Sequence, residues 1–300
     1  MDMNQAFEKL KKAGGARAAR IILNKLKNPN HIKIYFAARK LRQGMPVAKI
    51  INEKWFYGLP FWTDKNTLDP RPDSETLVDA VLNFVGAHIC APSVANATDN
   101  IIAPDGAMGR NYAPLHILDL GTGTGCLICA IVKNLPNATG VGIDKSLRAV
   151  RIARKNVKNL KLKNKIKIER GNFSSQLSSV FATLRRDRAF IRLRCATPRQ
   201  GSQFDIIVAN PPYIAIGDSR VNAGAKFDPK EALYAGPDGL TAYRAIAKNA
   251  KNLLKQGGQI FLEIGAGQSK AVKKIFTDCN WQFEKSYKDL SGIIRVLEFS

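Results

Sequence analysis

Asn210, Pro211, Pro212 and Tyr213 follow directly on the apolar run FDIIVA. Those residue types in that order suit one kind of chemistry. The Asn210 side-chain oxygen and the Pro211 carbonyl can each accept one N–H of a planar NH2 group. Proline has no N–H and stiffens the chain, so that carbonyl is held in place. Tyr213 can pack against the planar group. Holding both N–H bonds pushes electron density onto the nitrogen and aims its lone pair at an electrophile. No strong base is needed to start, because the proton leaves after the nitrogen has become cationic. Catalysis of this sort works by positioning and preorganised dipoles. Asn210, Pro211 and Tyr213 are the candidate catalytic residues; together with Pro212 they are the candidate substrate-binding set.

The electrophile is suggested by ILDLGTGTG, which sets Gly121, Gly123 and Gly125 between a strand and a helix. Glycine there lets the backbone approach a ligand, and the helix start offers unpaired N–H groups. The spacing is GxGxG, with Cys126 where a dinucleotide fingerprint has its third glycine, and this turns the reading from a nicotinamide cofactor to S-adenosylmethionine. Asp119 can orient the loop or hold a ligand ammonium. Asp144, ending VGID, is placed to accept from ribose hydroxyls and can also cap the following helix. In GNF, Asn172 can meet an adenine amino group and Phe173 can pack on the ring, or the two simply form a turn with a buried aromatic. The candidate cofactor residues read from this pattern are Asp119, Gly121, Gly123, Gly125, Asp144, Asn172 and Phe173.

These residues need strands to carry them, and the pattern provides strands. From His116 onward, apolar strands alternate regularly with amphipathic helices, which predicts a doubly wound parallel α/β sheet. WQFEKSYK and IIRVLEFS, with no helix between them, predict an antiparallel edge. Before Trp55 the chain reads as short helices broken at Gly14-Gly15 and at Asn28-Pro29-Asn30. WFYGLPFW reads as a hairpin around a Gly-Leu-Pro turn, and Ser74 as the N-cap of the next helix. Residues 91–114 and 174–203 lack a sustained pattern and read as long surface loops.

Lys and Arg total 47 against 24 Asp and Glu, a net charge of +23. The excess gathers in the N-terminal segment, between Lys145 and Arg170, and between Arg185 and Arg194. Such a field attracts polyanions, so RNA or ribosome proximity is one expectation and a merely solvated surface the other. Cys126 and Cys129 form a CxxC inside an apolar helix and read as core residues; no metal is expected. No apolar run is long enough for a membrane span and no signal peptide is legible, so a cytoplasmic protein, monomeric and without membrane contact, is expected.

Two substrate classes present a planar NH2: exocyclic base amines and the carboxamide of glutamine. PRPDSET, DLGTGTG, VGID, NPPYI, EALYAGPDGLTAYR and GGQIFLEIG, in that order, resemble the HemK/PrmC family, the peptide chain release factor N5-glutamine methyltransferases. The resemblance runs from about Pro46 to Ser300. It implies a seven-stranded, Rossmann-like class I methyltransferase sheet, its last strand antiparallel, with S-adenosylmethionine as cofactor. It also implies that Gly121, Thr122, Gly123, Thr124, Gly125, Asp144, Phe173 and Asn210 contact that cofactor, that Asn210, Pro211, Pro212 and Tyr213 hold the substrate, and that the glutamine in the Gly-Gly-Gln loop of release factors is methylated. Residues 1–54 become a helical substrate-docking domain, 55–72 a β-hairpin linker and 73–300 the methyltransferase domain. Ribosomal-protein glutamine methyltransferases share the core but usually carry PRSP-like residues where this chain has PRPDSE. Asp73 and Ser74 stand where the family usually has Glu and Thr, and the helical segment is shorter than usual. An adenine-N6 or guanine-N2 methyltransferase is the alternative enzyme, and a non-catalytic RNA-binding module the alternative class.

Overall fold

The computed structural model describes residues 2–26, 29–89, 114–172, 204–219 and 223–300. Phe173, residues 91–113 of the first long loop and all of the second lie outside the described residues. Near the N-terminus, α1 (Met3–Lys25) breaks at Gly15, whose φ of 87° is closed to residues with a β-carbon in a helix. It packs with α2 (His31–Arg42) and α3 (Val47–Ile51) around its own small core of Ala6, Leu10, Ile22, Ile34 and Leu41.

The hairpin consists of β1 (Glu53–Phe56) and β2 (Leu59–Trp62). Its turn is Tyr57-Gly58, with φ of 49° and 70°, and not Gly-Leu-Pro. Pro60 instead sits in β2 opposite Trp55. A two-residue turn with both φ positive matches the twist of the strands. In that register Phe56 and Phe61 are both buried against the main sheet's core.

The main sheet has seven strands: β3 (Leu115–Leu120), β4 (Ala138–Asp144), β5 (Ile166–Arg170), β6 (Phe204–Ala209), β7 (Leu254–Glu263), β8 (Phe283–Lys288) and β9 (Ile294–Phe299). Their spatial order is β5-β4-β3-β6-β7-β9-β8. The first five pair in parallel, while β9 runs antiparallel to both neighbours. All six residues of β3 are buried, as a central strand covered on both faces requires. Leu115 and Ile117 face the layer of α4 (Glu75–Phe84), α5 (Cys126–Asn134) and α6 (Leu147–Asn159). Leu118 and Leu120 face α7 (Thr241–Asn249) and α8 (Ser269–Thr277).

The chain winds from β3 outward through β4 to β5, then returns to the other side of β3 with β6. The crevice outside the carboxyl ends of β3 and β6 is therefore a topological switch point, where open α/β sheets bind ligands. Between Lys145 and Arg170 the charge is sorted by helix period: α6 buries Ala149, Val150, Ile152, Ala153 and Val157 and exposes Arg148, Arg151, Arg154, Lys155 and Lys158. Among the described residues no helix is long and apolar enough to cross a membrane.

Candidate active site

Two cavities open along the switch point. One, of about 560 Å³, is lined by Gly121, Gly123, Asp144, Ser146, Asn210 and Pro212 among others. The second, of about 850 Å³, is lined by Asp73, Asn210, Pro211, Tyr213, Gly265 and Gln268 among others. Asn210 lines both.

The glycine loop after β3 takes its shape from its residues. Gly121, Gly123 and Gly125 have φ of 74°, 55° and 79°, the left-handed region that glycine enters without strain. Beneath the loop, Thr122 Oγ1 donates to Asp119 Oδ2 at 2.6 Å. Asp119 is buried and lines neither cavity, so in this geometry it orients the loop. Burial pushes its carboxyl up to about 7, against the opposing Thr122 hydrogen bond. Thr122 and Thr124 are also buried, and the Thr124 carbonyl accepts from Asn156 Nδ2 at 2.8 Å.

Asp144 sits at the end of β4 and bridges two turns. Its Oδ2 accepts from Gly123 N–H at 3.0 Å and its Oδ1 from Ser146 N–H at 2.8 Å. Burial raises its pKa, opposed by those two N–H groups and by Lys145. The helix cap falls to Ser146, whose hydroxyl accepts from Ala149 N–H. Asn172, half-buried, follows β5 at the same end of the sheet, where Gly171 N–H donates to the Asp144 carbonyl at 3.0 Å.

The segment after β6 is clamped from outside. Ile214 N–H donates to Leu233 and Ala235 N–H donates back to Ile214, while Ile216 N–H reaches Gly236. This explains the EALYAGPDGL run: it lies as a short strand-like strip against the residues that follow Tyr213. Gly239, at φ 73°, lies so close that a β-carbon there would meet the Tyr213 carbonyl oxygen at 2.4 Å. That same carbonyl accepts from Gln268 Nε2 at 2.9 Å, and Gln268 Oε1 accepts from Gly265 N–H. Tyr213 faces the larger cavity, and burial together with Glu263 pushes its phenol up to about 12.

Ser74 does not cap α4 with its side chain. Its hydroxyl instead accepts from Asn210 Nδ2 at 3.0 Å. A residue that propensity assigns to a helix start is thus turned inward because the 72–74 turn packs against the end of β6. Glu263, at the end of β7, completes the group: it is 1% exposed, and both Ser74 and Asn210 hydrogen-bond to its carboxyl. Nothing local marked Glu263 for a role, since in GGQIFLEIG it reads as strand. Lys65, Asn66 and Leu68 line the smaller cavity and Gln268 the larger, also without a local motif. Cys126 and Cys129 lie on α5, and burial pushes both thiols up, Cys126 to about 12.

A glycine loop and an NPPY segment side by side at the switch point of this sheet define a methyltransferase domain, and the family model described as "Methyltransferase domain" matches residues 113–288. A solved human methyltransferase 10 domain containing protein superposes with a TM-score of 0.51 at 15% identity, over 81% of this chain and 89% of that one, and shares the fold. A release factor glutamine methyltransferase of Agrobacterium fabrum is 34% identical over 262 residues, 86% of this chain and 75% of the relative. A bifunctional methyltransferase of Rickettsia felis is 37% identical over 260 residues, 85% of this chain. The chain spans about half the length of the bifunctional relatives it matches, 45% in that case. It belongs to the release factor glutamine methyltransferase family.

Proposed function

We propose that this protein transfers a methyl group from S-adenosylmethionine to the side-chain amide nitrogen of the glutamine in the Gly-Gly-Gln loop of peptide chain release factors. The observation that carries the reading is Asn210, which lines two adjoining cavities at once. One cavity suits the methyl donor. Its walls include bare glycine backbone at Gly121 and Gly123 and a half-buried carboxylate, Asp144, placed to accept from ribose hydroxyls. The other suits an amide side chain entering beside Tyr213.

When bound, S-adenosylmethionine supplies an electrophilic methyl group on a sulfonium. The protein's own residues then orient the nucleophile. Asn210 Oδ1 and the Pro211 carbonyl accept the two N–H bonds of the glutamine amide, and Tyr213 packs on its plane. Gln268 and the strip from Leu233 to Gly239 hold the Tyr213 backbone still. With the cofactor bound, the nitrogen lone pair would take the methyl carbon as the sulfonium C–S bond breaks to leave a neutral thioether, and one N–H proton of the resulting cation would pass to water. No residue needs to act as a strong base before that step.

Residues 1–54 serve to dock the factor, 55–72 to link, and 73–300 to catalyse. The basic face of α6 suits a partner that carries or contacts RNA, in a cytoplasmic enzyme acting as a monomer. The test is mass spectrometry of a release factor incubated with the enzyme and cofactor. One added methyl group on the Gly-Gly-Gln glutamine is expected. Transfer to nucleic-acid amino groups, with the factor untouched, would replace this reading.

A further inference from the structure

The proposed reaction touches Asn210, yet the side chains behind it form a buried polar group of their own. Glu263 and Ser74 are 1% and 2% exposed, and Oε2 of Glu263 has no hydrogen-bond partner among the described residues. Asn210 Nδ2 donates to Ser74 Oγ, and both residues also hydrogen-bond to the Glu263 carboxyl. Burying a carboxyl in an apolar sheet is unfavourable unless its hydrogen bonds do something an apolar residue cannot.

We propose that Glu263 is a positioning residue which, acting with Ser74, sets the edge of the Asn210 amide that faces the substrate. This rests on the reading that Asn210 accepts from the substrate NH2. A carboxylate can only accept hydrogen bonds. Facing it, the Ser74 hydroxyl gives its proton to Glu263 and keeps a lone pair for Asn210, which must then present Nδ2. The amide oxygen is thereby turned to the cavities, where an NH2 group needs an acceptor. Protonation of Glu263 reverses the logic. The acid becomes a donor, the Ser74 proton is released toward Asn210, and the amide is free to turn its oxygen inward. Its NH2 would then confront the substrate NH2, donor against donor, and hold nothing.

The charges around Glu263 come from several elements. Asp73, beside Ser74, raises its pKa and Arg295 on β9 lowers it; Tyr213 on the NPPY segment, Tyr243 on α7 and Cys126 on α5 also face it. Arg295 is itself held by Asp73 and Asp289, each at 2.8 Å. Burial dominates, and pushes the carboxyl up to about 7, so the orientation of Asn210 changes near neutral pH.

The experiment reads the amide directly. In full-length protein labelled with 15N-asparagine, the Asn210 side-chain signal is assigned by its loss in Asn210→Ser. It should titrate between about pH 6 and about 8 in the wild type and stay constant in Glu263→Gln. In single-turnover methylation of a release factor, Glu263→Gln and Ser74→Ala should each lose roughly 10- to 100-fold in rate with cofactor affinity unchanged. Ser74→Thr, which keeps the hydroxyl, should retain the wild-type rate. An Asn210 signal that ignores pH, or that titrates identically in Glu263→Gln, overturns the proposal. If the wild type methylates no release factor, the proposed substrate fails, while the amide titration still decides the role of Glu263.

Discussion

Asn156 holds Trp62 by both ends of one peptide-like contact: its Oδ1 accepts from the Trp62 N–H at 2.8 Å and its Nδ2 donates to the Trp62 carbonyl at 3.0 Å. The same Nδ2 donates to Thr124 in the glycine loop. One buried amide therefore ties the hairpin to α6 and to the candidate cofactor loop. Asn156→Ala leaves three backbone groups without that partner and should destabilise the protein by on the order of 3 kcal/mol, read from denaturant midpoints. It should also weaken cofactor binding, because the Thr124 carbonyl loses its anchor. Unchanged values of both would show that water replaces the amide.

Asp144→Ala should weaken S-adenosylmethionine binding by about 1.5–3 kcal/mol, through loss of a charge-assisted contact to the ribose. The Gly123 N–H loses its acceptor in the same variant. Calorimetric titration checks this, and unchanged affinity would remove Asp144 from the binding site.

Asn210→Ala should lower turnover by roughly 10²–10³-fold, the usual effect of losing one preorganised polar contact at a reacting centre. Asn210→Asp keeps the shape but adds a second carboxylate beside Glu263. It should bind cofactor and still methylate poorly. Near-wild-type single-turnover rates in folded, cofactor-saturated Asn210→Ala would falsify the mechanism.

Gly239→Ala tests the clamp on the NPPY segment. The new β-carbon would lie 2.4 Å from the Tyr213 carbonyl oxygen, at a φ of 73°, so the backbone must shift. Turnover should fall while cofactor affinity holds, since Tyr213 lines only the other cavity. Gly292→Ala, at φ 79° with nothing within 4 Å, carries the conformational strain alone and is the control. Equal losses of rate in the two variants would mean that strain, and not displacement of Tyr213, is responsible.

The pH dependence of stability follows from Asp119. Its folded pKa is raised from 3.8 to about 7 by burial, so below about pH 4 both folded and unfolded forms are protonated. Between about pH 4 and 7 the unfolded chain ionises while the folded one resists, and stability falls as pH rises through that window. Above it the loss is complete. Asp119→Asn should remove this part of the slope, so that wild type loses on the order of 3 kcal/mol relative to the variant between about pH 4 and pH 8. Urea midpoints at the two ends of the range measure it. Parallel curves would show that Asp119 titrates normally in the folded protein.

Glycine loop, NPPY segment and the carboxylate ending β4 were all legible in the residues, because each is a short contiguous strand-to-loop passage whose shape depends on glycine, proline and strand periodicity. The alternating strands and helices likewise prescribed the doubly wound sheet, since a buried parallel strand reads as a continuous apolar run. The hairpin was legible as an element but not in its turn. Tyr57-Gly58 became the corner because that register buries Phe56 and Phe61 against the main sheet, which is a tertiary choice. Other partners of the site were not legible at all. Ser74 meets Asn210 across 136 residues, Glu263 reaches them because β7 lies next to β6, and Gln268 finds Tyr213 at the start of the next helix. Sequence periodicity records which face of an element is buried, whereas the identity of the neighbour is set by strand order, and strand order is decided only when the whole sheet packs.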